Sequence, residues 1–112
     1  MPRPRYIAFH LAGSPLTRRA VANAIRARAR QDAWRDADAP QLTRYAWPHG
    51  IVRVEHLHAT RARRLLEAIT AAAEGDRKIA VTIATLGTSG TLKALTGRLG
   101  VLTRRDAPAP KA

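Results

Sequence analysis

Leu42-Thr-Arg-Tyr-Ala-Trp-Pro-His-Gly-Ile-Val-Arg-Val-Glu-His-Leu57 is the stretch whose reading decides the fold. Residues 42–47 carry β-branched and aromatic side chains and predict a strand. Pro48-His49-Gly50 predicts a turn, and Ile51 to Leu57 a second strand, so the stretch reads as an antiparallel hairpin.

Outward from this hairpin the period changes from two to that of a helix. Upstream, Thr17 is a good N-cap, with Leu16 placed to pack on Val21 as a hydrophobic staple. The helix it opens is expected to run to about Asp36 and to bury Val21, Ala24 and Ile25. Downstream, Thr60 opens a helix whose Ala62, Leu65, Leu66, Ile69 and Ala73 share one face, and Gly75 stands where a C-cap glycine belongs.

Further out lie two more strands. Arg5 to Ala12 alternates Ile7, Phe9 and Leu11 against Tyr6, Ala8 and His10, and stops at Gly13-Ser14-Pro15. Lys78 to Leu86 alternates Ile79, Val81 and Ile83. Gly87-Thr-Ser-Gly-Thr91 then leads into a short third helix with Leu92, Leu95 and Leu99 on one face. The order β-α-β-β-α-β plus a terminal helix predicts an α+β sandwich of ferredoxin-like, RRM-like type, an antiparallel sheet with helices on one face. One domain over 1–104 and a flexible Ala/Pro tail over 105–112 are expected.

The 112 residues include 20 Lys+Arg against 8 Asp+Glu, a formal charge of +12, with a pI near 11.7. Alanine supplies 23 residues, and Leu, Ile, Val and Phe together another 23. A core this thin beside such a charge lies near the composition of disordered chains. The agreement of local signals from Arg5 to Gly100 argues for folding instead, into a domain that is marginal alone and gains stability from a partner. There is no cysteine, hence no thiolate chemistry. No apolar run approaches a membrane span, and the expected location is cytoplasmic. The seven arginines and no acid before Asp32 have the look of a transit peptide. The strand at Tyr6–Leu11 argues against it.

Only three of the basic residues are lysines. The planar guanidinium fork suits phosphate, so a polyanion partner is expected, although a GC-rich genome also raises Arg and Ala together. Arg19, Asn23, Arg26 and Arg30 are spaced to form one helix face of about 16 Å, either a nucleic-acid contact or a solvated face. Arg61, Arg63 and Arg64 open the second helix, where Glu67 can pair with Arg63. Ser89, Gly90, Thr91 and Lys93 form a second phosphate candidate at a helix start, or simply a well-capped turn. It lacks the spacing of a nucleotide P-loop.

Tyr45 and Trp47 share a strand face suited to base stacking or a protein interface. The strands lack the aromatic signature of RNA-recognition motifs. His49, His56 and His58 make a metal or acid–base site conceivable. No acid/His helix motif supports it, and Glu55 is expected on the opposite strand face, so no bound metal and no catalytic residue are expected. An acyl-phosphate hydrolase needs a better phosphate loop than Gly13-Ser14-Pro15.

Three segments carry a family resemblance: Arg5-Tyr-Ile-Ala-Phe9, Gly50-Ile-Val-Arg-Val54 and, most specifically, Leu86-Gly-Thr-Ser-Gly-Thr-Leu-Lys93. In order and spacing they resemble a small protein subunit of archaeal and eukaryotic ribonuclease P, of the Pop-five/Rpp-fourteen type (protein component 2 in archaea), over about residues 5–100. The resemblance implies a non-catalytic subunit of the ribonucleoprotein that removes the 5′ leader of precursor tRNA. It implies an RNA catalyst acting through bound Mg2+, no cofactor on the chain itself, and pairing with a TIM-barrel-like protein component 3 in a heterotetramer. Departures from the pattern are a short connection after the first helix, Gly97 and Gly100 in the last helix, and a brief tail. Another RNA-binding module of the same fold, for example ribosome-associated, is the alternative.

Overall fold

A computed structural model describes residues 3–90. The elements are β1 (Pro4–Gly13), α1 (Arg18–Gln31), β2 (Gln41–Ala46), β3 (His49–Glu55), a 3-10 turn (His56–His58), α2 (Ala59–Ala68), β4 (Ala71–Glu74) and β5 (Arg77–Ser89). The strands form one antiparallel sheet in the order β2-β3-β1-β5-β4. Register shifts between Ala8 and Phe9 and between Leu42 and Arg44 add local twist, and the sheet curls toward a half-barrel. This α+β arrangement is compatible with a ferredoxin-like fold, but its element order carries one strand more than β-α-β-β-α-β. No helix among the described residues is long and apolar enough to cross a membrane.

The core lies between the helices and one sheet face. Ile7, Phe9 and Leu11 of β1 meet Val52 and Val54 of β3, Val21 and Ile25 of α1, and Leu65 and Leu66 of α2, all in one buried cluster. Phe9 pairs with Gly50 across the central strands. A Cβ built on Gly50 would fall 2.4 Å from Phe9 Cζ, so only a glycine fits beneath the ring.

The N-terminus of α1 is held from both sides. Thr17 Oγ1 accepts from the backbone N–H of Ala20 at 3.2 Å, satisfying one orphan donor. Glu74, at the end of β4, accepts from Thr17 N at 3.1 Å and from Thr17 Oγ1 at 2.9 Å. A carboxylate here offsets the unfavourable pairing of Arg18 and Arg19 with the positive end of the helix dipole.

The other end of α1 departs from expectation. The helix stops at Gln31, five residues before Asp36, because Ala33 takes a left-handed φ of 60°. Trp34 N donates to Ala29 O at 2.9 Å and Ala33 N to Arg30 O at 3.2 Å, the paired bonds of a Schellman motif. The turn drives Trp34 back into the core, where it is buried. That burial outweighs the cost of the left-handed alanine.

Other boundaries differ as well, beginning with α2, which opens at Ala59 with His58 and not Thr60 at the N-cap. The hairpin turn is Trp47-Pro48, joined by a cis peptide, and His49 and Gly50 belong to β3. β3 ends at Glu55, and His56-Leu57-His58 form the 3-10 turn. α2 ends at Ala68, and Ala71–Glu74 is β4. Gly75, at φ 62°, belongs to the turn between β4 and β5 and caps no helix. Finally, β5 continues through Gly87-Thr88-Ser89, which pair with Ala8, Ile7 and Tyr6. The expected third helix and the tail lie outside the described residues.

Candidate nucleic-acid interface

α1 sorts its residues by face. Ala20, Val21, Ile25 and Ala29 are buried, and Arg19, Asn23, Arg26 and Arg30 are all exposed. Two other arginines of the helix are committed within the chain. Arg18 Nη2 donates to Leu42 O at 3.2 Å, and Arg28 Nε meets Asp32 Oδ2 at 3.2 Å. The side chains of Arg19, Arg26 and Arg30 have no hydrogen bond or ion pair with another described residue. Arg26 and Arg30 also form one wall of a groove whose far wall is Pro40, Gln41 and Leu42. Asp36 lines the same groove but forms no ion pair with either arginine. The result is a net cationic row, of the kind that attracts phosphate by releasing counterions and carries no base preference.

The arginines of α2 divide differently. Arg61 Nη2 donates to Asp32 O at 2.8 Å, closing the C-terminus of α1, and its guanidinium lies 4.1 Å over the Trp34 ring. It therefore has a structural task. Arg63 reaches Thr85 Oγ1 at 3.2 Å and Thr88 Oγ1 at 3.5 Å, and Thr85 Oγ1 donates to Glu67 at 2.6 Å. The anticipated Arg63–Glu67 pairing thus runs through a threonine of β5. Arg64 is exposed and has no partner among the described residues.

Ser89 is the last residue of β5, and Gly90 forms a bend just beyond it. Arg5 Nη1 comes so close to Gly90 that a Cβ there would lie 3.2 Å away. Arg5 and Arg63 are thus at the β5 end, a grouping invisible in sequence because the partners are far apart along the chain. Thr91 and Lys93 lie outside the described residues.

Tyr45 and Trp47 do share a face, but it is the core face. Tyr45 is buried and its hydroxyl donates to Leu16 O, so the ring is closed to a base. Trp47 is half-buried against the same cluster. Burial pushes the Tyr45 hydroxyl up from 10.0 to about 12, with the Glu74 carboxylate adding to the shift. A raised folded-state value means stability that is present below pH 10 and lost as pH rises toward 12. Alkaline titration of unfolding should show that loss in the wild type. Tyr45→Phe should flatten it, at a cost of about 1 kcal/mol at neutral pH for the lost hydrogen bond.

The opposite sheet face carries no helix among the described residues. Ala8, Ala46 and Ile51 form a small buried cluster there with Tyr6 against it. His10 and His49 face each other across the strands, ring centroids 5.2 Å apart. Burial first, and His10 second, lower the His49 value below the usual 6.5.

No known family model matches the chain, and no curated protein matches it.

Proposed function

We propose that this chain is a non-catalytic protein subunit of ribonuclease P that supports the catalytic RNA in removing the 5′ leader of precursor tRNA. The observation that carries the RNA-binding part is the exposed arginine row of α1, whose side chains have no ion pair among the described residues. Two things support the family part. The resemblance covers nearly the whole chain. Its three segments, 5–9, 50–54 and the described part of 86–93, lie side by side on the central strands β3, β1 and β5. The close fit of Phe9 over Gly50 gives two of them a shared packing reason. On this reading the fold is ferredoxin-like with an added edge strand.

The mechanism is electrostatic. A catalytic RNA must bring phosphates together and hold Mg2+ against its own repulsion. Guanidinium groups at backbone phosphates lower that repulsion and tighten the active fold without taking part in bond cleavage. The partners on this reading are the ribonuclease P RNA, precursor tRNA through the holoenzyme, and protein component 3 in a heterotetramer, acting in the cytoplasm. Mg2+ belongs to the RNA.

Reconstitution tests this directly. Precursor-tRNA cleavage by the ribonuclease P RNA and component 3 should need markedly less Mg2+ when the chain is added. Equal Mg2+ dependence with and without it, or failure to associate with component 3, favours the alternative of a different RNA-binding module, such as a ribosome-associated one.

A further inference from the structure

Asp38, Glu55 and His58 come from three separate segments: the α1–β2 connection, the last residue of β3, and the end of the 3-10 turn. Their ligand atoms all lie within 4.8 Å of one another. Had β3 continued to His58, Glu55 and His58 would point to opposite faces. The chain instead turns at His56, and the two side chains meet. We propose that these three residues form a binding site for a divalent transition metal of the Zn2+ class. The site is independent of any RNA-related role.

The donor chemistry fits. One imidazole nitrogen and two carboxylate oxygens suit Zn2+, and the imidazole counts against Mg2+ and Ca2+, which favour all-oxygen sets. His58 Nε2 and Asp38 Oδ2 stand 4.0 Å apart, too far to hydrogen-bond. Two ligand atoms around a tetrahedral Zn2+ are about 3.4 Å apart, given bonds of about 2.0–2.1 Å. A small rotamer adjustment closes that gap.

The surroundings leave the donors unclaimed. In a chain of charge +12, neither the Asp38 nor the Glu55 carboxylate receives a hydrogen bond from a described residue. Arg61, which stacks on the same Trp34 ring that meets His58, is itself bonded to Asp32 O. Trp34 in turn meets the His58 ring edge-on at 5.7 Å, which holds the imidazole in place. Asp38 and His58 are about three-quarters buried at the side chain, 27% and 28% exposed, leaving room for solvent to complete the coordination. Arg53 lines the same depression as Asp38 and Glu55 and opposes a cation there. The two carboxylates outweigh it. A bound metal would tie the α1–β2 connection to the start of α2.

The test uses the full-length, tag-free chain titrated calorimetrically with zinc chloride. One equivalent should bind, and magnesium chloride should give no saturable heat. Asp38→Asn, which keeps the side-chain shape, and His58→Ala should each weaken binding at least tenfold. At a hundredfold excess over the dissociation constant, Zn2+ should raise the wild-type Tm by roughly 10 °C and leave both variants unmoved. The variants' circular dichroism should match the wild type. Absence of saturable zinc binding overturns the proposal. So does binding that survives both substitutions and disappears in His49→Ala, which would assign the metal to the His10–His49 pair.

Discussion

Gly50→Ala should lower the melting temperature by more than about 10 °C. The added Cβ meets Phe9 Cζ at 2.4 Å and Cε1 and Cε2 at 2.9 Å, separations real Cβ atoms essentially never show. The ring cannot swing aside, because Phe9 is fully buried among the residues of both helices. Overpacking of a fixed core costs about 1–3 kcal/mol, and a central clash between two paired strands belongs at the top of that range. For a domain this size each kcal/mol moves Tm by roughly 4–8 °C. Thermal unfolding of Gly50→Ala, Phe9→Leu and the double variant makes the attribution specific. Phe9→Leu alone should be destabilising by removing buried ring surface, whereas in the double variant part of the Gly50→Ala loss should return as a coupling energy. Simple additivity of the two losses contradicts the ring-over-glycine packing.

The same pair shows what can be read in a sequence and what cannot. The alternation of Ile7, Phe9 and Leu11 announces β1, and the period of Val21 and Ile25 announces α1, because burial on one face dictates both patterns. For the same reason the row Arg19, Arg26, Arg30 is legible: the face opposite a buried stripe has to be exposed. Gly50 reads as a turn residue, since nothing local says that an aromatic ring from another strand lies above it. Ala71-Ala72-Ala73 reads as helix by propensity. It becomes a strand because β5 needs a partner along Arg77–Ala80 and the Gly75-Asp76 pair supplies a two-residue turn. Gly87-Thr88-Ser89 carries loop residues yet is held in the sheet by Tyr6, Ile7 and Ala8. Tyr45 has the look of an exposed stacking residue until its partner, the Leu16 carbonyl far upstream, is known. The meeting of Asp38 with Glu55 and His58 depends on where a strand stops, the least legible property of any element.

Replacing Arg19, Arg26 and Arg30 together by alanine should raise the Mg2+ needed for leader cleavage and flatten the salt dependence of RNA binding. Each phosphate contact contributes about 0.7–0.9 to the slope of log K against log salt, so losing three should reduce its magnitude by about 2–3. Affinity at moderate salt should fall by orders of magnitude, and similarly for different RNA sequences, because backbone contacts carry no base information. The fold is expected to tolerate the change: all three side chains are exposed and have no partner among the described residues, so each replacement should be worth within ±0.5 kcal/mol. Two control variants separate placement from mere charge. Arg28→Ala removes an arginine of the same helix that is paired with Asp32, and Arg61→Ala removes one that is bonded to Asp32 O and stacked on Trp34. Arg61→Ala should cost stability with little change in the salt slope, and Arg28→Ala should change neither greatly. If all five arginines shift the slope equally, only net charge matters and the row has no privileged role. If the triple variant keeps the wild-type Mg2+ dependence and salt slope, α1 presents an ordinary solvated face, and RNA contact would have to be sought at Arg5 and Arg63 around the end of β5 and at the exposed Arg64 of α2.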